Sequence, residues 1–217
     1  MQWVIPVVSS PPMARTATAR RPAADAKREA ILAAALGLFG RYGYRRTSID
    51  DIAREAGIAK GTVYLHVESK EMLFRTLSQS LLGQVLARAR AAAVARTGVT
   101  ERLVEILDAK FGFFHELLHR SPHASELMDS KSRLCADVFA AGDAAYLQVL
   151  TKAIAGATRR GELAPRRHGL SADDVARLLM GGAHGIDADP SRTVSNEEHR
   201  ARLDALVRVV VDGLRAG

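Results

Sequence analysis

Lys60, Thr62, Tyr64 and His66 form a closely spaced polar set whose chemistry suits contact with a nucleic acid. The ammonium of Lys60 and the hydroxyl of Tyr64 can reach phosphates, whereas Thr62 and His66 can bond to base edges or to the sugar-phosphate backbone. Val63 stands among them, and we expect this stiff β-branched residue to point inward. The four polar side chains then lie on the other faces of one short helix, where a partner can contact them.

A preceding helix would position these side chains. Thr47 and Ser48 are typical N-cap residues, and two aspartates follow them in the first turn, where the helix dipole favours negative charge. Apolar residues at helical spacing predict a helix over 48–56, which Gly57 ends in a left-handed conformation. A second helix over 60–66 follows so closely that the two must cross steeply, with the small Ala53 allowing their approach. The pattern is typical of a helix-turn-helix; the alternative is a tight helical hairpin with a solvated polar face.

Two longer segments, LFGRYGYRRTSIDDIAREAG and AKGTVYLHVESKEMLF, resemble the DNA-binding domain of the TetR/AcrR family of bacterial regulators. The resemblance covers about residues 27–75 closely, and beyond them it extends only to general architecture. Ser69 matches the N-cap of the family's long linking helix, whereas Val67 stands where the family usually carries an aromatic residue. The resemblance implies that the DNA contacts fall on Thr47, Lys60, Gly61, Thr62, Tyr64, His66 and Lys70.

The charge distribution favours a polyanionic partner for the same part of the chain. The chain has 217 residues, of which 47% are hydrophobic, and a formal net charge of +7. Residues 14–70 contain 11 basic and 6 acidic residues, a balance of +5, whereas residues 71–217 contain 20 and 18, a balance of +2. Most of the excess positive charge therefore lies on the segment with the helix-turn-helix pattern.

Composition and motif content exclude several classes of protein. The lone Cys135 allows no intrachain disulfide, so we expect a reducing, cytoplasmic location and a buried, inert thiol. No apolar run approaches the roughly 18 residues of a membrane-spanning helix, and the opening MQWVIPVV does not have the features of a signal peptide. We also find no nucleophile–base motif, paired metal site or phosphate-cradling glycine loop, and expect neither enzymatic activity nor a cofactor.

Helical periodicity from Asp25 onward predicts an all-α protein of about nine helices. We expect a disordered N-terminal arm over 1–24, a helix-turn-helix DNA-binding domain over 25–70, and a helical ligand-binding and dimerisation domain over 71–217. Met13, within the arm, is a candidate start of the native protein. Beyond the DNA-binding domain the pattern predicts helices over 69–96, 100–120, 122–129, 133–160, 171–187 and 196–215, with Thr100 as a cap and Pro122 at a first helical position.

A single short recognition helix offers too little contact area for specific binding, which favours a two-fold dimer that reads two half-sites. The last two predicted helices carry broad apolar faces that could pair with a second copy in a four-helix bundle. The alternative is that these faces, which also include Leu178, pack only within one chain. We assign the dimer interface to Ala176, Leu179, Met180, Ala183, Leu203, Leu206, Val207 and Val210.

DNA binding alone does not require the middle helices, and the resemblance implies that they hold a small-molecule pocket. Core packing is the alternative for each candidate residue. His115 and His119 are one turn apart, but there is no nearby cysteine and we expect Glu116 to point elsewhere on the helix, so we expect no metal site. We assign the pocket to Phe111, Phe114, His115, Leu118, Phe139, Tyr146, Met180 and His184, and expect an apolar or aromatic ligand.

The resemblance and the surplus of helices together predict a ligand-responsive DNA-binding transcriptional regulator. We expect a repressor that binds a palindromic operator as a homodimer and is released by a small-molecule inducer. The alternative is an activator, or a regulator without a small ligand. Operator position separates repressor from activator, and the amino-acid sequence does not encode it.

Overall fold

The structure, a computed structural model, describes residues 21–187 and 194–215. Within these residues the chain forms nine α-helices, one 3₁₀ helix and no β-strand, which confirms the predicted all-α fold. The 3₁₀ helix spans Pro165–His168. The α-helices are α1 (Arg21–Tyr42), α2 (Ile49–Glu55), α3 (Lys60–Tyr64), α4 (Lys70–Ala93), α5 (Val99–His119), α6 (Ala124–Leu134), α7 (Ala136–Arg159), α8 (Ala172–Gly185) and α9 (Asn196–Leu214).

The chain divides into two compact units, and the division differs from the predicted boundary after Lys70. The first unit extends to Leu77 and also includes Pro122–Leu134, whereas the second comprises Ser78–Ser121 and the chain from Cys135 onward. Helix α6 belongs to the first unit because it packs on α1, and the carboxylate of Glu126 accepts a hydrogen bond from the backbone N–H of Arg45 at 2.6 Å. This tertiary contact has no signature in the local sequence pattern.

The start of α1 shortens the predicted N-terminal arm. The helix begins at Arg21, so four residues of the predicted arm are helical, with Pro22 in the first turn, where its missing N–H removes no helical bond. The remainder of the arm, including Met13, lies outside the described residues.

Several helix ends differ from the predicted ones for local reasons. Gly98, rather than Thr100, is the N-cap of α5, because the carboxylate of Glu101 reaches back to the Gly98 N–H at 3.1 Å. Pro122 lies in the turn before α6 instead of at its first position. By contrast, Ser69 caps α4 as predicted, since its hydroxyl accepts from the Met72 N–H at 3.1 Å.

An aromatic cluster forms the centre of the first unit. The rings of Phe39, Tyr44 and Phe74 lie 5.1 to 5.6 Å apart in tilted or edge-to-face arrangements. Ile52 of α2 and Val63 of α3 are fully buried in the same unit. Burial of these large side chains fixes the short α2 and α3, which are too short to be stable as isolated helices.

The core of the second unit lies where α5 packs on α9 and α7 packs on α8. Each helix contributes fully buried aliphatic side chains, among them Leu107, Leu150, Leu179 and Leu203. Cys135, at the start of α7, is buried as predicted.

Candidate functional site

The first turn of α2 is fixed by a reciprocal capping box. Ser48 accepts from the Asp51 N–H at 3.1 Å, and the Asp51 carboxylate accepts from the Ser48 N–H at 3.1 Å. The hydrogen bonds from the Ser48 side chain and backbone lower the pKa of the Asp51 carboxyl. Of the two predicted N-cap residues, Ser48 is therefore confirmed and sets the register at which α2 begins, whereas the Thr47 hydroxyl donates to the Gly43 carbonyl instead.

The turn after α2 has the geometry that the glycine pattern predicts. Gly57 adopts φ of +66°, the left-handed region in which a residue with a Cβ is strained. The N–H of Ile58 bonds to the Ala53 carbonyl at 2.9 Å and that of Gly57 to the Arg54 carbonyl at 3.2 Å, which is a Schellman motif. Ala53 is 4% exposed and Val63 is fully buried, so these residues form the inner angle of the turn.

Helix α3 presents a mixed polar and apolar surface to solvent. Lys60, Gly61 and Tyr64 are exposed, and Thr62 and His66 are half-buried. Leu65, which is not among the DNA contacts predicted from sequence, is 84% exposed and is the most exposed large hydrophobic side chain in the described residues. Its position, two residues after the buried Val63, was a usable signal, and a leucine here can contact a thymine methyl group in a major groove.

Gly61 lies on this surface without being required by the fold. A Cβ built on Gly61 meets no heavy atom within 4 Å, and the residue has no left-handed φ. The packing of the domain therefore does not require a glycine at this position, whereas the lack of a side chain lets a partner approach the backbone closely.

Lys60 already has an ionic partner within the domain. Its ammonium lies 2.7 Å from the Asp50 carboxylate, and this hydrogen bond raises the pKa of Lys60. Both side chains are more than half exposed, so solvent screens the pair and a phosphate can compete for the ammonium.

The structure places Thr47 differently from the predicted DNA contact. The residue is 3% exposed, and its hydroxyl donates to the Gly43 carbonyl at 2.8 Å. The hydroxyl therefore ties the end of α1 to the start of α2. We therefore leave this side chain out of the proposed DNA interface, because its hydroxyl proton is donated within the unit.

Lys70 is likewise used internally. Its ammonium donates to the carbonyls of Tyr44 and Thr47, both at 3.1 Å, and lies 4.5 Å from the centre of the Tyr44 ring. It also reaches the Arg45 carbonyl at 3.4 Å. These contacts join the first turn of α4 to the loop before α2, so Lys70 positions the helix-turn-helix and has few donors left for a phosphate.

The comparisons agree with this geometry. The family model of the bacterial regulatory proteins of the tetR family matches residues 31–77, which contain α2, α3 and the turn between them. The part of the chain that contains the helix-turn-helix is therefore similar to the DNA-binding domain of the TetR family. Members of this family are DNA-binding regulators and not enzymes, in agreement with the prediction from the motif content.

Two relatives illustrate how far sequence similarity extends. The HTH-type transcriptional regulator YerO of Bacillus subtilis is 40% identical over 57 residues, which cover 26% of this chain and 20% of YerO. The transcriptional activator FasR of Mycolicibacterium smegmatis is 28% identical over 187 residues, covering 86% of this chain and 80% of FasR. This chain spans less than half of YerO and of the fatty acid metabolism regulator protein of Bacillus subtilis.

Solved structures share the fold over nearly the whole chain. A TetR-family protein from Mesorhizobium loti has a TM-score of 0.68 at 21% identity, with 88% of this chain and 97% of that chain covered. FadR of Bacillus subtilis in complex with stearoyl-CoA has a TM-score of 0.57 at 19% identity, with 86% and 99% covered. At these identities the likeness establishes a common fold.

The second unit of the chain contains a cavity of about 590 Å³ between α4, α5 and α9. Of the eight residues that we assigned to a pocket, only His115 lines it. Charged groups stand beside small apolar ones in its wall, which differs from the apolar pocket expected from sequence. The lining comprises Arg88, Ala91, Ala92, Ala95, Glu105, Asp108, Ala109, Gly112, Phe113, His115, Glu116, Asn196, His199 and Arg200.

The other predicted pocket residues mostly form packed aromatic contacts. Phe111 lies 4.8 Å from the His184 ring and 6.4 Å from the Tyr146 ring, measured between centroids. Tyr146 is 1% exposed, its hydroxyl donates to the Ile106 carbonyl at 2.6 Å, and burial raises its pKa. Phe114 and Phe139 form a separate pair at 6.0 Å. Leu118 and Met180 are half-buried.

The predicted dimer residues divide by burial. Five of them are buried within one chain, so they cannot contact a second copy in this conformation. They are Ala176, Leu179, Ala183, Leu203 and Val207. Met180, Leu206 and Val210 are half-buried.

The exposed small or apolar residues of α8 and α9 lie on a neighbouring face of each helix, mostly one position away from the residues predicted from sequence. They are Leu178, Gly181, Gly185, Ala201, Ala205 and Val209. The two helices approach closely where α8 carries Gly182, since a Cβ there would lie 2.9 Å from Cδ1 of Leu206.

Within the described residues, no helix is long and apolar enough to span a bilayer.

Proposed function

We propose that the chain is a transcriptional regulator that binds duplex DNA through α3. The observation that carries this proposal is the surface of α3 and of the turn that follows it: Tyr64 is 47% and Leu65, just after the helix, 84% exposed, while Val63 is fully buried. Such a surface suits a major groove, where a hydroxyl reaches a phosphate and an apolar side chain contacts thymine methyl groups. The proposed DNA-contacting set is Lys60, Gly61, Thr62, Tyr64, Leu65 and His66.

A dimer supplies the second recognition helix that a palindromic operator requires. We assign the interface to the exposed face of α8 and α9, defined by Leu178, Gly181, Gly185, Ala201, Ala205 and Val209. Small residues allow the helices of two copies to approach closely, and the side chains of Leu178 and Val209 supply apolar area to bury. This assignment replaces the eight residues predicted from sequence, five of which are buried within one chain.

A small molecule in the cavity of the second unit is proposed to control DNA binding. The cavity of about 590 Å³ is of the size that small ligands occupy. Helix α4 belongs to both units, since it begins at Lys70 and the division falls at Leu77. A ligand with different affinity for two positions of α4 would therefore shift the spacing of the recognition helices and release an operator. On this proposal the protein is a repressor acting in the cytoplasm, where bacterial DNA lies.

Activation is the second candidate. FasR, which aligns with 86% of this chain, is described as an activator. The same DNA-binding surface serves either outcome, because the position of the operator relative to the promoter decides between them.

Equilibrium binding of labelled duplex DNA from the region upstream of the gene tests the proposal. Tyr64→Ala should weaken binding about tenfold, because it removes a phosphate contact and apolar area. Tyr42→Ala is the matched control, since Tyr42 is 53% exposed in the same unit but lies at the end of α1. Equal loss in both variants, or binding that lacks salt dependence and sequence preference, would contradict α3 as the reader.

A further inference from the structure

A cluster of three metal-binding residue types lies in the second unit. His115 comes from α5, Asp187 follows the end of α8, and His199 comes from α9. One potential ligand atom of each lies within 4.8 Å of the other two. The two imidazole rings are nearly parallel, with centroids 4.1 Å apart. The sequence analysis considered His115 only with His119, because Asp187 and His199 are distant in the chain.

We propose that His115, Asp187 and His199 bind a divalent transition-metal ion such as Zn²⁺, with an open coordination position on the cavity side. Two imidazole nitrogens and one carboxylate oxygen are a ligand set that suits zinc, iron, cobalt and nickel. Three protein ligands leave room for water or a donor atom of a small molecule. The inference goes beyond the proposed function and does not depend on DNA binding.

The separation of the His115 and Asp187 ligand atoms fits an ion better than a direct hydrogen bond. Nε2 of His115 lies 3.8 Å from Oδ2 of Asp187, which is beyond hydrogen-bond distance. Two ligands bound at roughly 2.0 to 2.2 Å from a tetrahedral zinc ion would lie about 3.4 Å apart. Small side-chain rotations therefore close the gap. The contact of His199 Nδ1 with the same carboxylate oxygen would be replaced by the ion.

Neighbouring residues orient two of the three ligands. Oδ1 of Asn196 lies 3.0 Å from Nδ1 of His115, and accepting the proton of that nitrogen leaves the lone pair of Nε2 for an ion. Arg202 donates to Oδ1 of Asp187 at 2.9 Å, which leaves Oδ2 for the ion. Hydrogen bonds from neighbouring residues to the ligand side chains are a regular feature of protein metal sites.

His199 is the buried member of the cluster. The residue is 4% exposed, and its Nε2 is buried without a hydrogen-bond partner among the described residues. Its Nδ1 faces the Asp187 carboxylate and is the nitrogen that would bind the ion.

The cavity gives an ion a route of entry. His115 and His199 both line it, and so does Asn196. An ion bound here would join α5 to α9 and to the end of α8, so loading should also raise the unfolding temperature of the chain.

The test is metal binding by the full-length, untagged protein after removal of metal with a chelator. Zn²⁺ is titrated by calorimetry, and Co²⁺ is titrated while its visible absorption reports the ligand geometry. We expect one ion per chain, with at least about 100-fold weaker binding in His115→Ala and Asp187→Asn, and about tenfold weaker binding in Asn196→Ala. His119→Ala is the control, because its ring stacks on His115 at 5.5 Å but lies outside the ligand set.

Two results would overturn the proposal. One is a folded wild-type protein that binds neither Zn²⁺ nor Co²⁺ at micromolar concentrations. The other is equal loss of affinity in His119→Ala and His115→Ala. Circular dichroism of each variant shows whether it is folded, and the wild-type Co²⁺ spectrum keeps the test decisive if a variant fails to fold.

Discussion

At the scale of single residues, the decisive difference lies between side chains that face solvent and side chains that already serve the fold. Lys60 and Tyr64 of α3 are exposed and His66, just after the helix, is half-buried, whereas Thr47 and Lys70 donate to backbone carbonyls within the first unit. All five are of residue types that bind phosphates or bases. Only the structure separates them, because a spacing rule places a residue on a helix but does not count its hydrogen bonds.

The Lys60–Asp50 pair yields a prediction about affinity. Asp50→Asn removes the carboxylate that competes with phosphate for the ammonium, so operator affinity at low salt should rise about twofold to fivefold. Fluorescence anisotropy over a series of salt concentrations measures the change. In a Lys60→Ala background the same substitution should have a smaller effect, and an equal gain in both backgrounds would show that the pair is not the cause.

At the scale of elements, local signals account for α2 and its turn. The capping box at Ser48 and the left-handed Gly57 fix both ends of the helix. These features depend on residues three or four apart in the chain, and for that reason the sequence predicts them.

The capping box predicts how stability depends on pH. The hydrogen bonds from Ser48 lower the pKa of Asp51 in the folded protein, so its contribution to stability is present above the unfolded pKa of 3.8 and disappears as pH falls through the folded pKa. Asp51→Asn should therefore destabilise the chain at neutral pH and have progressively less effect below about pH 4. Chemical unfolding of both proteins at several pH values measures this. A difference that stays constant down to pH 2 would contradict the assignment.

Features that depend on distant residues could not be predicted in the same way. The placement of α6 against α1 rests on the contact of Glu126 with the loop at Arg45. The joining of His115 to His199 depends on the packing of α5 on α9. The packing of the predicted pocket residues is a further example: periodicity shows that Phe111 and Phe114 share a helix face, but not that their rings contact Tyr146 and Phe139.

At the scale of the whole molecule, recognition of a palindromic operator requires two recognition helices, one from each copy in a dimer. The burial of five predicted interface residues within one chain moves the proposed contact to the exposed side of α8 and α9. A specific operator then needs two half-sites with the symmetry of the dimer.

Disruption of the exposed face should separate the dimer. Leu178→Glu replaces a leucine that is 56% exposed on α8 with a charge that a second copy would have to bury. We expect the dimer dissociation constant to rise about tenfold or more, with a parallel loss of operator affinity. Val94→Glu is the control, since Val94 is 81% exposed in the same unit but lies beyond the end of α4. Sedimentation equilibrium measures both variants, and unchanged association in Leu178→Glu would place the interface elsewhere.

Selection of bound sequences from a random pool of duplex DNA by the full-length chain at physiological salt measures whether the protein recognises a two-fold operator through α3. We expect enrichment of an inverted repeat, with half-sites centred about one helical turn or a multiple of it apart, and loss of enrichment in Tyr64→Ala. A pool that stays random after repeated rounds, or enrichment that survives unchanged in Tyr64→Ala, would show that α3 does not recognise such an operator.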